Sequence, residues 1–274
     1  MNSEPHTPGE QSNPGLRWWR FLFQHGASHS PPVDPIPCKV PGLRGAEVAA
    51  VYHDQRRAGD FYEFVRAGRS RLVFALLDMA GRRADTRDSL RAAQNTLRKM
   101  VARRFSGEDF NEAIAMMELC QSINHTILRG GIRACPGFLG CYNEDLGTVC
   151  YANAGHTPAL VRDDTGITRL EATGLPLGLF SHVPQGASTC ALPPGGALLV
   201  VSRGIVEAER HGEEFGLPGA TASLQQSVGL NAHELCVAVL RAAETFIKVP
   251  LPHNDVTALA LVRSHAPLLN AQNR

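Results

Sequence analysis

The chain has 274 residues, 43% of them hydrophobic, with 27 basic against 26 acidic side chains and a formal net charge of +1. That length suits one large domain or two small ones with ample apolar content for a core, and the near-balance of charge gives no electrostatic basis for nucleic acid as a main partner. No run reaches the ~18 apolar residues of a membrane span, and the N-terminus lacks the basic, apolar, small-residue order of a secretion signal. The seven cysteines are odd in number and form no C-x-x-C pair, so neither a disulfide framework nor a zinc knuckle is indicated and a reducing, cytoplasmic compartment is expected.

Residues 1–40, rich in Pro, Ser, Gly, His and Asn, read as a mostly disordered tail. One aromatic island around Trp18 and Trp19 interrupts it. It reads either as a segment packing on the protein's own surface or as a docking peptide for a partner or membrane interface. A folded domain is expected over 41–264, followed by a short tail, 265–274. Within the domain, 47–52 is a candidate strand, and 61–65 and 72–77 are two apolar runs around the Gly-containing turn 67–70, the pattern of a β-hairpin. Two helices follow. Asp85 or Thr86 caps the first, whose stripe runs Leu90, Ala93, Leu97, Met100, Val101 and Phe105. Residues 106–109 open the second, with Phe110, Ala113, Ile114, Met117 and Ile127 on its inner face. Strands return at 137–142, 148–152 and 159–161, with a turn at 163–166, and again at 197–201. A helix over 232–247 and a strand over 256–262 close the domain. Strands, two helices, strands, helix, strand is an α+β order, with antiparallel sheets and helices packed outside.

The hairpin carries the first chemical signal. Centred on Arg69, it sets Asp60 opposite Asp78, where directly opposed side chains are ~5 Å apart and like charges repel. Two carboxylates held that close call for a proton or a cation between them, and a hard ion such as Mg²⁺ or Mn²⁺ suits carboxylate oxygens. A register shifted by one, or two Asp residues that merely cap turns, is the alternative.

Several segments resemble one family. Ala58-Gly-Asp-Phe-Tyr-Glu-Phe64 is similar to the G-G-D-F-Y-D segment of SpoIIE-type phosphatases, the bacterial branch of the PPM metal-dependent protein phosphatases. Leu77-Asp-Met-Ala-Gly81 resembles their G-D-V-S-G. Residues 151–158 (Y-A-N-A-G-H-T-P) and 173–178 (T-G-L-P-L-G) match further family segments, as do 192–195, Phe215-Gly216 and His253-Asn-Asp-Val-Thr257. The resemblance implies a four-layer α/β/β/α sandwich of two antiparallel sheets flanked by helices. It also implies hydrolysis of a phosphoserine or phosphothreonine phosphomonoester on a bacterial regulatory protein, such as an anti-sigma-factor antagonist, by water activated at Mn²⁺ or Mg²⁺. Carried over by position, Asp60 is a ligand of one ion, Asp78 bridges two, and the Met79 carbonyl completes the first site.

Two positions depart from the family pattern. Arg203 stands where the T-D-G aspartate would bind the second ion, and Asn254 replaces the first Asp of D-D-x-T, leaving a neutral amide oxygen as candidate ligand, with the adjacent Asp255 able to substitute for it only if the loop shifts. A guanidinium repels a divalent ion and pairs with carboxylates, so Arg203 is expected to salt-bridge Asp78 and the centre to hold one ion, or none, rather than two. Two functions stay open: a phosphatase with a degenerate second metal site, and a weak or inactive pseudophosphatase that acts as a regulatory binding module. His156 reads as hydrogen-bonded structure rather than as a catalyst, and the methionines read as packing.

Overall fold

The computed structural model describes residues 39–53, 59–79, 83–107, 109–132, 134–182, 185–248 and 256–265. The Trp18–Trp19 segment and most of the expected C-terminal tail lie outside them, as do Asn254 and Asp255.

Alternation builds the first sheet. In β2 (Gly59–Ala67) and β3 (Arg71–Met79) the odd-numbered residues Phe61, Val73, Ala75 and Leu77 enter one apolar cluster, and the even-numbered Phe64, Leu72, Phe74 and Leu76 enter another. A strand with both faces apolar must be covered twice. With β4 (Gly137–Asn143), β5 (Thr148–Ala154) and β8 (Ser188–Ala191) these strands form a five-stranded antiparallel sheet, ordered β2-β3-β4-β5-β8. Helices α1 (Arg83–Arg104) and α2 (Glu112–Arg129) cover its outer face, through Leu90, Leu97, Phe105, Met116, Leu119 and Ile123.

The second sheet is made by β1 (Ala46–His53), β6 (Ala159–Arg162), β7 (Ile167–Leu170), β9 (Ala197–Val201) and β12 (Val256–Arg263), in the order β1-β12-β9-β6-β7. After β9 come the single turn α3 (Arg203–Val206), the small hairpin of β10 (Glu209–Arg210) and β11 (Glu213–Glu214), and α4 (Gly216–Gln226). Then α5 (Ala232–Ile247) packs Leu235, Val239 and Ala243 on the second sheet's outer face. The inner faces of the two sheets meet through Phe74, Phe138, Leu198, Val200 and Leu259. The expected α/β/β/α sandwich is the observed fold.

Three local readings are corrected. Helix α1 begins at Arg83, so Asp85 and Thr86 lie inside its first turn rather than capping it. Helix α2 does not open at 106–109: Asn111 is its cap, its Oδ1 accepting from the Ile114 N–H at 3.0 Å. The buried stripe of α2 is accordingly Ala115, Met116, Leu119, Cys120, Ile123 and Ile127, while Ile114 is exposed. The six cysteines among the described residues are free thiols. Burial pushes those of Cys120 and Cys236 up to about 12, so they behave as small apolar core groups.

Candidate metal centre

The β2–β3 ladder pairs Asp60 directly with Asp78 and Gly59 with Met79. The unshifted hairpin register therefore holds. Both carboxylates are buried, 5% and 8% exposed, and lie on the strand faces that look toward the second sheet. Gly59 has a steric reason: a Cβ there would stand 2.9 Å from the Met79 carbonyl oxygen. The backbone N–H of Asp78 donates to the Pro136 carbonyl at 2.8 Å, which fixes the end of β3.

The second sheet supplies the opposite wall. At the end of β9, the Ser202 N–H donates to the Thr257 carbonyl at 2.9 Å and the Ser202 hydroxyl accepts from the Thr257 N–H at 2.9 Å. Thr257, so fixed, donates its hydroxyl to Asp60 Oδ2 at 2.7 Å. One residue on, Arg203 opens α3 and sets its Nε 3.4 Å from Asp78 Oδ2 and 3.7 Å from Glu207 Oε1. The expected Arg203–Asp78 ion pair is present. Its arginine is half exposed, so water screens it and its worth to stability is at most about 1 kcal/mol; its importance is positional.

His156 belongs to the same neighbourhood. Gly155 turns the chain at the end of β5 with φ +66°, packed so closely that a Cβ would lie 2.5 Å from Pro176. The His156 N–H donates to Asn153 Oδ1 at 2.8 Å, and the ring Nδ1 lies 3.0 Å from the Thr157 carbonyl, so Nδ1 carries the proton. Its Nε2 is buried with no hydrogen-bond partner among the described residues. Burial lowers the imidazole pKa, an effect to which Arg203 adds and which the Thr157 carbonyl and Asp78 oppose. The ring is therefore held neutral beside the Asp78–Arg203 pair. The hydrogen bonds at the backbone N–H and at Nδ1 agree with the sequence reading of His156 as hydrogen-bonded structure.

Asp60, Asp78 and the Met79 carbonyl offer hard oxygen donors from one hairpin end, and these residues fit a single Mg²⁺ or Mn²⁺. Opposite them stands the Arg203 guanidinium, a charge that repels a divalent ion. Among the described residues no three His, Cys, Asp or Glu side chains gather into a metal-binding group. Asn254 and Asp255 lie outside the described residues.

Two helix-backed antiparallel sheets with opposed acids at their common end define a PP2C-type phosphatase fold. A family model described as Stage II sporulation protein E (SpoIIE) matches residues 68–264, and the chain belongs to this family. It is similar to the RsbU and RsbW domains of Rv1364c from Mycobacterium tuberculosis (23% identity, TM-score 0.64, covering 83% of this chain and 64% of that one). It is likewise similar to the PP2C phosphatase domain, with a fragment of the regulatory domain, of SpoIIE from Bacillus subtilis (19%, TM-score 0.64, 81% and 64%). RsbX in complex with magnesium shares the fold at 12% identity and TM-score 0.60, over 82% of this chain and 99% of that one. In sequence, Protein IcfG of Synechocystis sp. is 22% identical over 202 residues, which are 66% of this chain and 32% of that protein. The chain thus spans about a third of that curated relative's length.

Proposed function

We propose that this chain is a SpoIIE-type domain that recognises a phosphorylated serine or threonine on a bacterial regulatory protein and acts chiefly as a binding module, with slow hydrolysis at most. Its centre holds one divalent ion, Mn²⁺ or Mg²⁺, through Asp60, Asp78 and the Met79 carbonyl. The observation that carries this reading is the 3.4 Å contact of Arg203 with Asp78, made at the position where the family pattern has an acidic ligand. Bound there, an ion would polarise phosphoryl oxygens and lower the pKa of a coordinated water. The protein's own contribution is to hold the two carboxylates opposed, to orient Asp60 through the Thr257 hydroxyl, and to keep His156 neutral nearby.

A second reading, a working phosphatase, is favoured by the intact Asp60–Asp78 register and the Thr257–Asp60 hydrogen bond. Loss of one of two cooperating ions removes several kcal/mol of transition-state stabilisation, orders of magnitude in rate, and this is why binding is placed first. An anti-sigma-factor antagonist is the partner class proposed. The free thiols fit a reducing compartment, and no described helix is long and apolar enough to cross a membrane.

The deciding experiment is calorimetric titration of the chain with Mn²⁺ and Mg²⁺, followed by turnover of a phosphoserine peptide in the same buffer. One ion with negligible turnover is the expected result. Two ions with robust turnover would make this an ordinary phosphatase. The double change Arg203→Asp with Asn254→Asp is expected to raise ion affinity at least about tenfold, the factor that 1.4 kcal/mol represents, and to restore measurable hydrolysis. If it does neither, these substitutions are not what limits the centre.

A further inference from the structure

Arg203 is anchored by one corner only. Its ion pairs to Asp78 and to Glu207 are closest at Nε, 3.4 and 3.7 Å, and among the described residues neither terminal amino group makes a hydrogen bond. The side chain of Arg203 is 53% exposed, whereas that of Asp78 is only 11% exposed. A guanidinium whose Nη1–Nη2 edge is free is a planar, pre-aimed pair of donors. That geometry suits a carboxylate or a phosphate, which it binds through two parallel N–H···O bonds. Here the edge belongs to a residue tied to the buried acid that the proposed ion would share.

Charge decides which anion settles there and when. Among the described residues three carboxylates, Asp60, Asp78 and the Arg203 partner Glu207, stand at or beside the centre against one guanidinium. A phosphate dianion would meet net repulsion on Arg203 alone. One divalent ion at Asp60 and Asp78 brings the local sum to zero: three positive charges, from ion and arginine, against three carboxylates. We propose that the Nη edge of Arg203 is a phosphate fork that grips the phosphoryl group of a phosphomonoester beside the single ion, and that ion and phosphate strengthen one another's binding. This rests on the one-ion reading given above. The position that no longer carries an acidic ligand thereby retains a cation's place, now occupied by a residue that cannot be lost by dilution. Reciprocity requires that the factor by which the ion raises phosphate affinity equal the factor by which phosphate raises ion affinity.

The test is calorimetry on the full chain with inorganic phosphate and with O-phospho-L-serine, each with and without saturating Mg²⁺, in the natural sequence and in Arg203→Gln and Arg203→Lys. Charge-assisted bidentate bonds set the expected size. Mg²⁺ should raise phosphate affinity about tenfold or more, and the same factor should appear in Mg²⁺ affinity when phosphate is added. Arg203→Gln should lose that gain while binding Mg²⁺ at least as tightly as the natural chain, which also shows it folded. Arg203→Lys, a point charge without a fork, should fall between. Equal phosphate affinity of Arg203→Gln and the natural chain with Mg²⁺ bound overturns the fork and leaves the one-ion reading standing. Absence of Mg²⁺ binding in every chain overturns the one-ion reading, and the fork with it. A preference of tenfold or more for inorganic phosphate over O-phosphoserine overturns the assignment to a phosphomonoester.

Discussion

Glu144 sits in the β4–β5 turn with its side chain fully buried, gripped by Arg66 from β2 and by Arg44, whose Nε lies 3.0 Å from Oε2. Burial alone would raise its pKa, but the hydrogen bonds from Arg66 and Arg44 outweigh burial and hold it below the usual range. A carboxylate with a depressed folded pKa contributes stability above its unfolded value, near pH 4.3, and loses it as pH falls further. Glu144→Ala should cost about 2 kcal/mol, since it removes the charge-assisted hydrogen bonds of a buried carboxylate to the part-exposed Arg66 and Arg44; urea denaturation at pH 7 measures this, and the cost should shrink toward pH 3. His156 behaves with the same sign through a different cause. Its folded pKa is depressed by burial, so only the unfolded chain takes up its proton as pH drops below about 6.5, and folding stability falls there. His156→Gln should flatten the stability–pH curve between pH 7 and 5. A slope identical to the natural chain's would show that the ring titrates freely. Asp60, Asp78 and Arg203 were legible in the sequence because a hairpin's arithmetic pairs residues equidistant from its turn, and because a shared segment exposes a swapped charge. Glu144 was not legible, since its partner Arg44 lies a hundred residues away and nothing local marks the pair.

Among elements, α5 was legible to the residue because strong periodicity met a clear start, where Asn231 and Glu234 close a reciprocal capping box, and β9 because it is a continuous apolar run, buried throughout. Helix α2 shows the limit of such signals. Ser106 to Asp109 offered an attractive start, yet the helix waits for Asn111, and the buried stripe shifts with it. Asn111→Ala should cost about 1 kcal/mol, readable as a lowered thermal midpoint, whereas Ser106→Ala should cost far less. Helix α4 went unread because Gly216, Pro218 and Gly219 argue against a helix; the Pro lies in the first turn, where its missing N–H costs nothing. The turn that presents His156 depends on Gly155 in both respects, backbone sign and space. Gly155→Ala should destabilise by at least about 1 kcal/mol from the positive φ alone, with the contact to Pro176 adding to it.

At the scale of the molecule, the order of strands and helices was enough to read antiparallel sheets with helices packed outside, because each apolar stripe needs a cover; the four-layer pairing of two sheets came from the resemblance to SpoIIE-type phosphatases. Strand β8, short and half exposed, carried no pattern to find. A bound ion joins parts of this whole: at one hundred times its dissociation constant, Mg²⁺ should add about 2.7 kcal/mol of stability and raise the melting midpoint by several degrees. A midpoint unmoved by Mg²⁺ would mean the described fold holds no ion.

The centre draws its two acids from one sheet, its Thr257 from the other and its Arg203 from the α3 turn that follows β9. It therefore works as a vernier, two graduated plates read against each other at one mark. Sliding or spreading the plates by a fraction of an ångström moves the mark, while a dent on either outer side leaves it in place. Removing bulk from between the plates, as Phe74→Val or Leu198→Ala would, should thus change ion affinity as well as stability. The same loss under a helix, at Leu119 or Val239, should weaken the fold and leave the reading of the scale unchanged.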